Sequence, residues 1–161
     1  MTKEDQGFYT VRGYAMQQQE DNGLTPSMED YLEMVYRLSQ GKGFARVGDL
    51  AASLNVQPPS ATKMLQKLAD LGYVNYEKYG VINLTGMGES LGARLLRRHE
   101  AVARFLQMLG VTEGLLEETE KVEHNLSGVT VERLILLAEF LEDNKEWGIA
   151  FANFAKSKER S

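Results

Sequence analysis

Apolar residues recur at helical spacing through most of this chain, and the places where that spacing breaks organise it. Tyr31, Leu32, Val35 and Leu38 form one stripe, which predicts a helix over about 26–40. Thr25-Pro26 is its start signal, a hydroxyl N-cap followed by proline at the first helical position, and Gly41-Lys42-Gly43 ends it. Residues 46–54 predict a short amphipathic helix with Val47, Leu50, Ala51 and Leu54 inward, and Asn55-Val56-Gln57 turns the chain. Pro58-Pro59 opens a helix that continues to Leu71 and buries Ala61, Met64, Leu65 and Leu68, with Gly72 as a left-handed C′ residue. The pattern then switches to strand-like runs at 73–77 and 81–84, joined through Lys78-Tyr79-Gly80 as a hairpin.

Beyond the hairpin the helical period returns. A long helix over about 86–109 is capped by Thr85 and closed by Gly110. Thr112 is expected to cap a helix over 113–126, broken at Ser127-Gly128, and Thr130 to cap another bearing Val131, Leu134, Ile135, Leu137, Ala138 and Leu141. After a turn at Asp143-Asn144-Lys145, residues 147–156 carry Trp147, Ile149, Phe151 and Phe154 and form a candidate docking helix. Three helices and a hairpin within 26–84 have the order of a winged helix-turn-helix. The expected fold is therefore mainly α: a winged helix with a two-stranded wing, then an all-helical domain. The expected layout is a polar leader over 1–24, a winged helix over 25–85, a helical domain over 86–142 and a helical tail over 143–161.

In this layout helix 58–71 is the reading helix. Its outward Ser60, Thr62, Lys63, Gln66 and Lys67 are hydroxyl, amide and ammonium groups that donate to phosphates and base edges. Arg46, Pro58 and Pro59 flank it, its N-terminus offers N–H groups and a positive dipole end to a phosphate, and Tyr76, Lys78 and Tyr79 sit at the wing tip. Polar helix faces are commonly just solvated, so charge matters. The 161 residues carry a net charge of −5, which taken whole argues against nucleic acid. By segment the picture reverses: residues 42–111 hold nine Lys and Arg against five Asp and Glu, while residues 112–146 hold three against ten. A basic stretch is followed by an acidic one, and only the docking face meets phosphate.

At 43% hydrophobic and 25% charged the composition is ordinary for a globular protein. No apolar run approaches the roughly 20 residues that span a bilayer, and residues 1–23 lack the apolar segment of a secretory signal. The absence of cysteine excludes disulfides, thiolate nucleophiles and zinc ribbons, so any metal must be held by carboxylate and imidazole. Both histidines stand next to acids. Glu120, Glu123 and His124 share one helix face, as do Asp30 and Glu33. Acidic helix faces are ordinarily solvated, but carboxylates that converge need cations or protons, and this donor set suits a divalent metal of intermediate to hard character. The Glu-x-x-His pairs of di-iron bundles are absent.

Several segments together are distinctive: Thr-Pro-Ser-Met-Glu-Asp-Tyr-Leu-Glu at 25–33, Gly-Phe-Ala-Arg-Val-Gly-Asp-Leu-Ala at 43–51, Pro-Ser-Ala-Thr-Lys-Met-Leu-Gln-Lys-Leu at 59–68, Tyr-Glu-Lys-Tyr at 76–79, Arg-His-Glu at 98–100 and Glu-Lys-Val-Glu-His-Asn-Leu-Ser at 120–127. In order and spacing they resemble the manganese-responsive branch of the diphtheria-toxin-repressor family, over about residues 25–142. The resemblance implies a cytoplasmic homodimer that binds a palindromic operator when loaded with metal and controls manganese-uptake genes, without enzymatic activity, organic cofactor or membrane partner. It also implies the ligands Asp30, Glu33, His99, Glu120, Glu123 and His124, holding Mn²⁺, two ions per subunit. The iron-responsive branch has methionine in place of Asp30 and cysteine in place of Glu123; oxygen at both favours manganese over softer-ligand metals. Asn125 departs from the pattern, which has a second histidine there, and the iron branch's SH3-like third domain is not expected.

The implied mechanism is a clamp, in which ligands from the DNA-binding half and the helical half share metal. The two reading helices of a dimer are then held about 34 Å apart, one DNA turn, or a multiple of it. The competing readings are a winged-helix regulator of an organic ligand, a regulator of another divalent metal, a di-metal hydrolase or oxidase, and a helical adaptor. Replacing Asp30 by Met together with Glu123 by Cys is expected to make Fe²⁺ or Zn²⁺ the better activator of DNA binding. A double variant that keeps its Mn²⁺ preference in a metal titration contradicts the ligand argument.

Overall fold

The computed structural model describes residues 23–77 and 79–159; the leader through residue 22 and Lys78 lie outside the described residues. The element order is α1 (Pro26–Ser39), β1 (Ala45–Arg46), α2 (Val47–Ser53), α3 (Pro58–Asp70), β2 (Val74–Tyr76), β3 (Val81–Leu84), α4 (Gly86–Met108), α5 (Leu115–Glu123), α6 (Gly128–Asp143) and α7 (Lys145–Glu159). Two compact units divide between Leu95 and Leu96, inside α4.

In the first unit, α1 to α3 pack on a small antiparallel sheet of order β1-β3-β2. The wing is the expected β2–β3 hairpin, registered Val74 to Leu84 and Tyr76 to Ile82. Sequence periodicity did not reveal its third strand: Ala45–Arg46 pairs with Val81–Ile82, and α2 begins only at Val47, not at Arg46. A strand of two residues has no period to detect. The amide of Val47 donates to the Gly80 carbonyl at 2.9 Å, which ties the start of α2 to the wing.

The predicted stripes form one core, with Leu32, Val35, Leu50, Ala61, Leu65, Leu68 and Ile82 fully buried. Two of its turns end in the same way. After α2, Val56 N donates to Ala51 O and Asn55 N to Ala52 O, with Asn55 at φ 52°, and after α3 the same pair of bonds surrounds Gly72 at φ 79°. These are Schellman caps, which need a left-handed residue; Gly adopts that conformation freely and Asn tolerates it.

Thr85 starts α4 as expected: its Oγ1 accepts from Gly88 N at 3.0 Å and donates to the Gly72 carbonyl at 2.7 Å. The first turns of α4 press closely on the unit. A Cβ on Gly88 would lie 1.9 Å from the Tyr73 carbonyl oxygen, and one on Gly92 would lie 2.7 Å from Tyr36 Cβ. Leu91 and Leu95 then join the first core.

The second unit contains the rest of α4 with α5, α6 and α7. Ala101, Val102, Val131 and Ala138 are its buried apolar residues. Two predicted helix starts are displaced. Helix α5 begins at Leu115, behind Gly114 in the left-handed region (φ 64°), rather than behind Thr112, and it ends at Glu123 with His124 as C-cap. Ser127, not Thr130, caps α6, accepting from Thr130 N. The 147–156 segment is part of the longer α7. No helix among the described residues is long and apolar enough to cross a membrane.

The close approach at Gly88 makes a clean comparison within one helix turn. Gly88→Ala is expected to cost about 2 kcal/mol by overpacking against backbone. Gly86→Ala, with nothing within 4 Å of the new Cβ, should be neutral or slightly stabilising. Chemical denaturation of both variants measures the difference.

Candidate metal centre and nucleic-acid interface

On α3 the buried positions are Ala61, Leu65 and Leu68, which turns Ser60, Lys63, Gln66 and Lys67 outward to solvent, with Thr62 half-buried. Pro58 and Pro59 are exposed at the helix start. One expectation is corrected here. The first turn of α3 presents no unpaired N–H: both prolines lack one, and the amides of Ser60 and Ala61 donate to the Gln57 carbonyl at 2.9 and 3.2 Å. What remains for an anion is the helix dipole and the outward side chains. Arg46, on the β1 edge, is exposed with its guanidinium 5.6 Å from the centre of the Phe44 ring. Tyr79 stands 95% exposed at the wing tip, at φ 74°. Such a conformation is uncommon for a non-glycine residue.

Asp30 and Glu33 lie one turn apart on α1, Asp30 half-buried and Glu33 buried. Glu33 Oε1 accepts from Arg37 Nε at 2.9 Å and Nη2 at 2.5 Å, a fork from the next turn of the same helix.

In the second unit four expected ligands come together. His99 Nδ1 lies 2.9 Å from Glu123 Oε1 and 3.6 Å from Glu120 Oε1, and His124 Nε2 lies 3.7 Å from Glu120 Oε2. Glu120 thus faces both histidines, one oxygen toward each, and Glu123 faces the α4 histidine. Glu123 is fully buried. A carboxylate without solvent stays charged only when paired, and this one meets the His99 imidazole and Arg98 Nε at 3.7 Å. Its Oε2 accepts no hydrogen bond. A buried oxygen left unsatisfied on a carboxylate that faces His99, the ring Glu120 also faces, fits a divalent cation, because these groups offer oxygen or nitrogen lone pairs. His99 Nδ1–H is directed at Glu123 Oε1, the arrangement by which a carboxylate orients a metal-binding imidazole.

The other acids of α5 behave differently. Lys121 Nζ lies 2.7 Å from Glu117 and 3.1 Å from Glu118 on an exposed face. Its hydrogen bond holds the Glu117 carboxyl below the usual carboxylate range, and the two carboxylates hold Lys121 above the usual amine range. Helix α5 thus has one solvated, internally paired acidic face and one buried face directed at α4.

Comparison with known proteins places this geometry in context. Residues 23–82 match the description "Iron dependent repressor, N-terminal DNA binding domain", and residues 85–147 match "Iron dependent repressor, metal binding and dimerisation domain". The chain is 47% identical over 123 residues to the HTH-type transcriptional regulator MntR of Lysinibacillus sphaericus, covering 76% of this chain and 88% of the relative. It is 42% identical over 138 residues to MntR of Bacillus pumilus, covering 85% and 96%. The chain belongs to the iron-dependent repressor family.

Among solved structures, the manganese regulator SloR superposes with a TM-score of 0.61 at 34% identity, covering 74% of this chain and 55% of that one. The chain thus spans little more than half of that longer protein. The family's dimerisation description fits the outer face of the second unit, where Leu136, Leu137, Phe140, Trp147, Ile149, Phe151 and Phe154 are all exposed. Asn125, the departure noted in the sequence, points away from the cluster and donates to the Lys121 carbonyl at 3.1 Å. Sequence reasoning missed Arg98, whose side chain is only 11% exposed against Glu123. Its one signal is adjacency to His99, which the basic run Arg97-Arg98 masks.

Proposed function

We propose that this repressor-family chain is activated by manganese, binds operator DNA as a homodimer in the cytoplasm and limits manganese uptake when the metal is plentiful. The observation that carries this is the donor set around His99. Two imidazoles and two carboxylates converge, and oxygen stands at Glu123, where the iron-responsive branch carries sulfur. The likeness to the manganese regulator SloR supports the same metal.

The proposed ligands are Asp30 and Glu33 from α1, His99 from α4, Glu120 and Glu123 from α5, and His124 at its end, sufficient for two ions per subunit. A bound divalent cation supplies the positive charge that lets these carboxylates act together. Glu123 orients the His99 ring, and Thr119, fully buried beside it on α5, closes its own hydroxyl onto the Leu115 carbonyl at 2.7 Å, so it offers no competing donor. Asp30 and Glu33 are the DNA-binding half's contribution. Their engagement orders that half before DNA arrives, a positive coupling between two ligands. Ser60, Thr62, Lys63, Gln66 and Lys67 of α3 then meet the major groove, while Arg46, Pro58, Pro59, Lys78 and Tyr79 contact the flanking backbone.

A mobility shift on DNA upstream of a manganese-transporter gene tests the proposal. Binding is expected to tighten with Mn²⁺ and to be lost with chelator; equal affinity in both contradicts it. Glu123→Ala should bind DNA weakly and with no response to Mn²⁺. Arg46→Ala should weaken binding across sequences and reduce the salt slope by about one, as expected for one lost phosphate contact.

A further inference from the structure

Arg98 faces two of the proposed ligands from the α4 side. Its Nη2 lies 3.1 Å from His124 Nδ1 and its Nε 3.7 Å from Glu123 Oε2, and its side chain is largely buried. A guanidinium has donors only, so His124 Nδ1 must accept. A neutral imidazole has a single lone pair, and Arg98 occupies it, which leaves the ring proton on Nε2. A cation cannot use the same lone pair. Ligation through Nδ1 requires Arg98 to withdraw. Ligation through Nε2 moves the proton to Nδ1, which then confronts a guanidinium donor. In addition, a fixed positive charge this close to the cluster opposes a second cation.

We infer that Arg98 is a displaceable counter-cation, which holds His124 and steadies Glu123 in the metal-free chain and must release His124 before that imidazole can ligate. Arg98 is then a positioning residue that sets the metal concentration at which the chain responds. This rests on the metal-site reading above. A purely structural Arg98, one that merely aims Glu123 and His124, predicts the opposite sign: its loss would loosen the cluster and weaken metal binding.

The test is a titration of the full chain with Mn²⁺ alone, with free ion followed by electron paramagnetic resonance, alongside thermal unfolding in chelator. Arg98→Met is expected to bind Mn²⁺ about tenfold tighter, the effect of removing one charge-assisted hydrogen bond from the competing state. Its metal-free form should unfold at a lower temperature, because Glu123 loses its buried counter-charge. Arg98→Lys, which keeps charge and donors, should stay close to the unaltered chain. Arg98→Gln should shift affinity in the same direction as Met by a smaller step, so the outcome does not depend on the Met variant folding. Equal or weaker Mn²⁺ binding in Met and Gln overturns the inference. Absence of Mn²⁺ binding by the unaltered chain overturns the site reading itself.

Discussion

A carboxylate with no exposed surface needs a partner of opposite charge or a proton, and Glu123 is such a group. Its demand arranges the whole cluster. His99 turns its Nδ1 inward to 2.9 Å, Arg98 approaches from the preceding position on α4, and α5 presents the face that carries Glu120 and His124. None of these neighbours satisfies both oxygens. A buried pair that is imperfectly satisfied is poor evidence for stability, since well-packed apolar residues do as well or better. In the proposed site a bound cation completes it.

The reading half is governed by geometry rather than charge. Left-handed residues at Asn55 and Gly72 stop α2 and α3 abruptly, which sets the short turn before α3 and the entry into β2. Thr85 and Gly88 then fasten the start of α4 to the carbonyls of Gly72 and Tyr73. The same helix that is held so closely at its N-terminus carries Arg98 and His99 further along. A site built on helices rather than loops holds its side chains more precisely.

Much of this was legible from residue order because each local signal agreed with the fold. Long apolar stripes placed the helices, Gly72 and Thr85 took the roles their chemistry predicts, and i, i+3, i+4 spacing put Glu120, Glu123 and His124 together. The misses share a cause, which is dependence on partners distant in sequence. Ala45–Arg46 becomes a strand only because β3 is there to pair with it. Free N–H groups at the α3 start were expected from the helix end alone, yet the Gln57 carbonyl takes the amides of Ser60 and Ala61. Arg98 was not singled out, because nothing in the pattern says that a buried carboxylate lies beside it.

Net charge gives the last step. The segment 112–146 carries an excess of acid, and several of its carboxylates are paired within their own unit. Glu117 and Glu118 flank Lys121, Glu132 pairs with Arg97, and Glu142 pairs with Arg104. Those exposed pairs contribute little to stability, but they show which acids already have fixed cationic partners. Glu120 is different: its carboxylate oxygens face His99 and His124, whose charge depends on protonation. Glu123 shares His99 and has the largely buried Arg98 guanidinium at 3.7 Å besides. Of the α5 carboxylates, Glu120 and Glu123 are the two that face imidazoles, and in the proposed site an exchangeable cation sits between these groups. A total of −5 conceals this, because it adds the basic segment around the reading helix to the acidic segment that carries the imidazole-facing carboxylates.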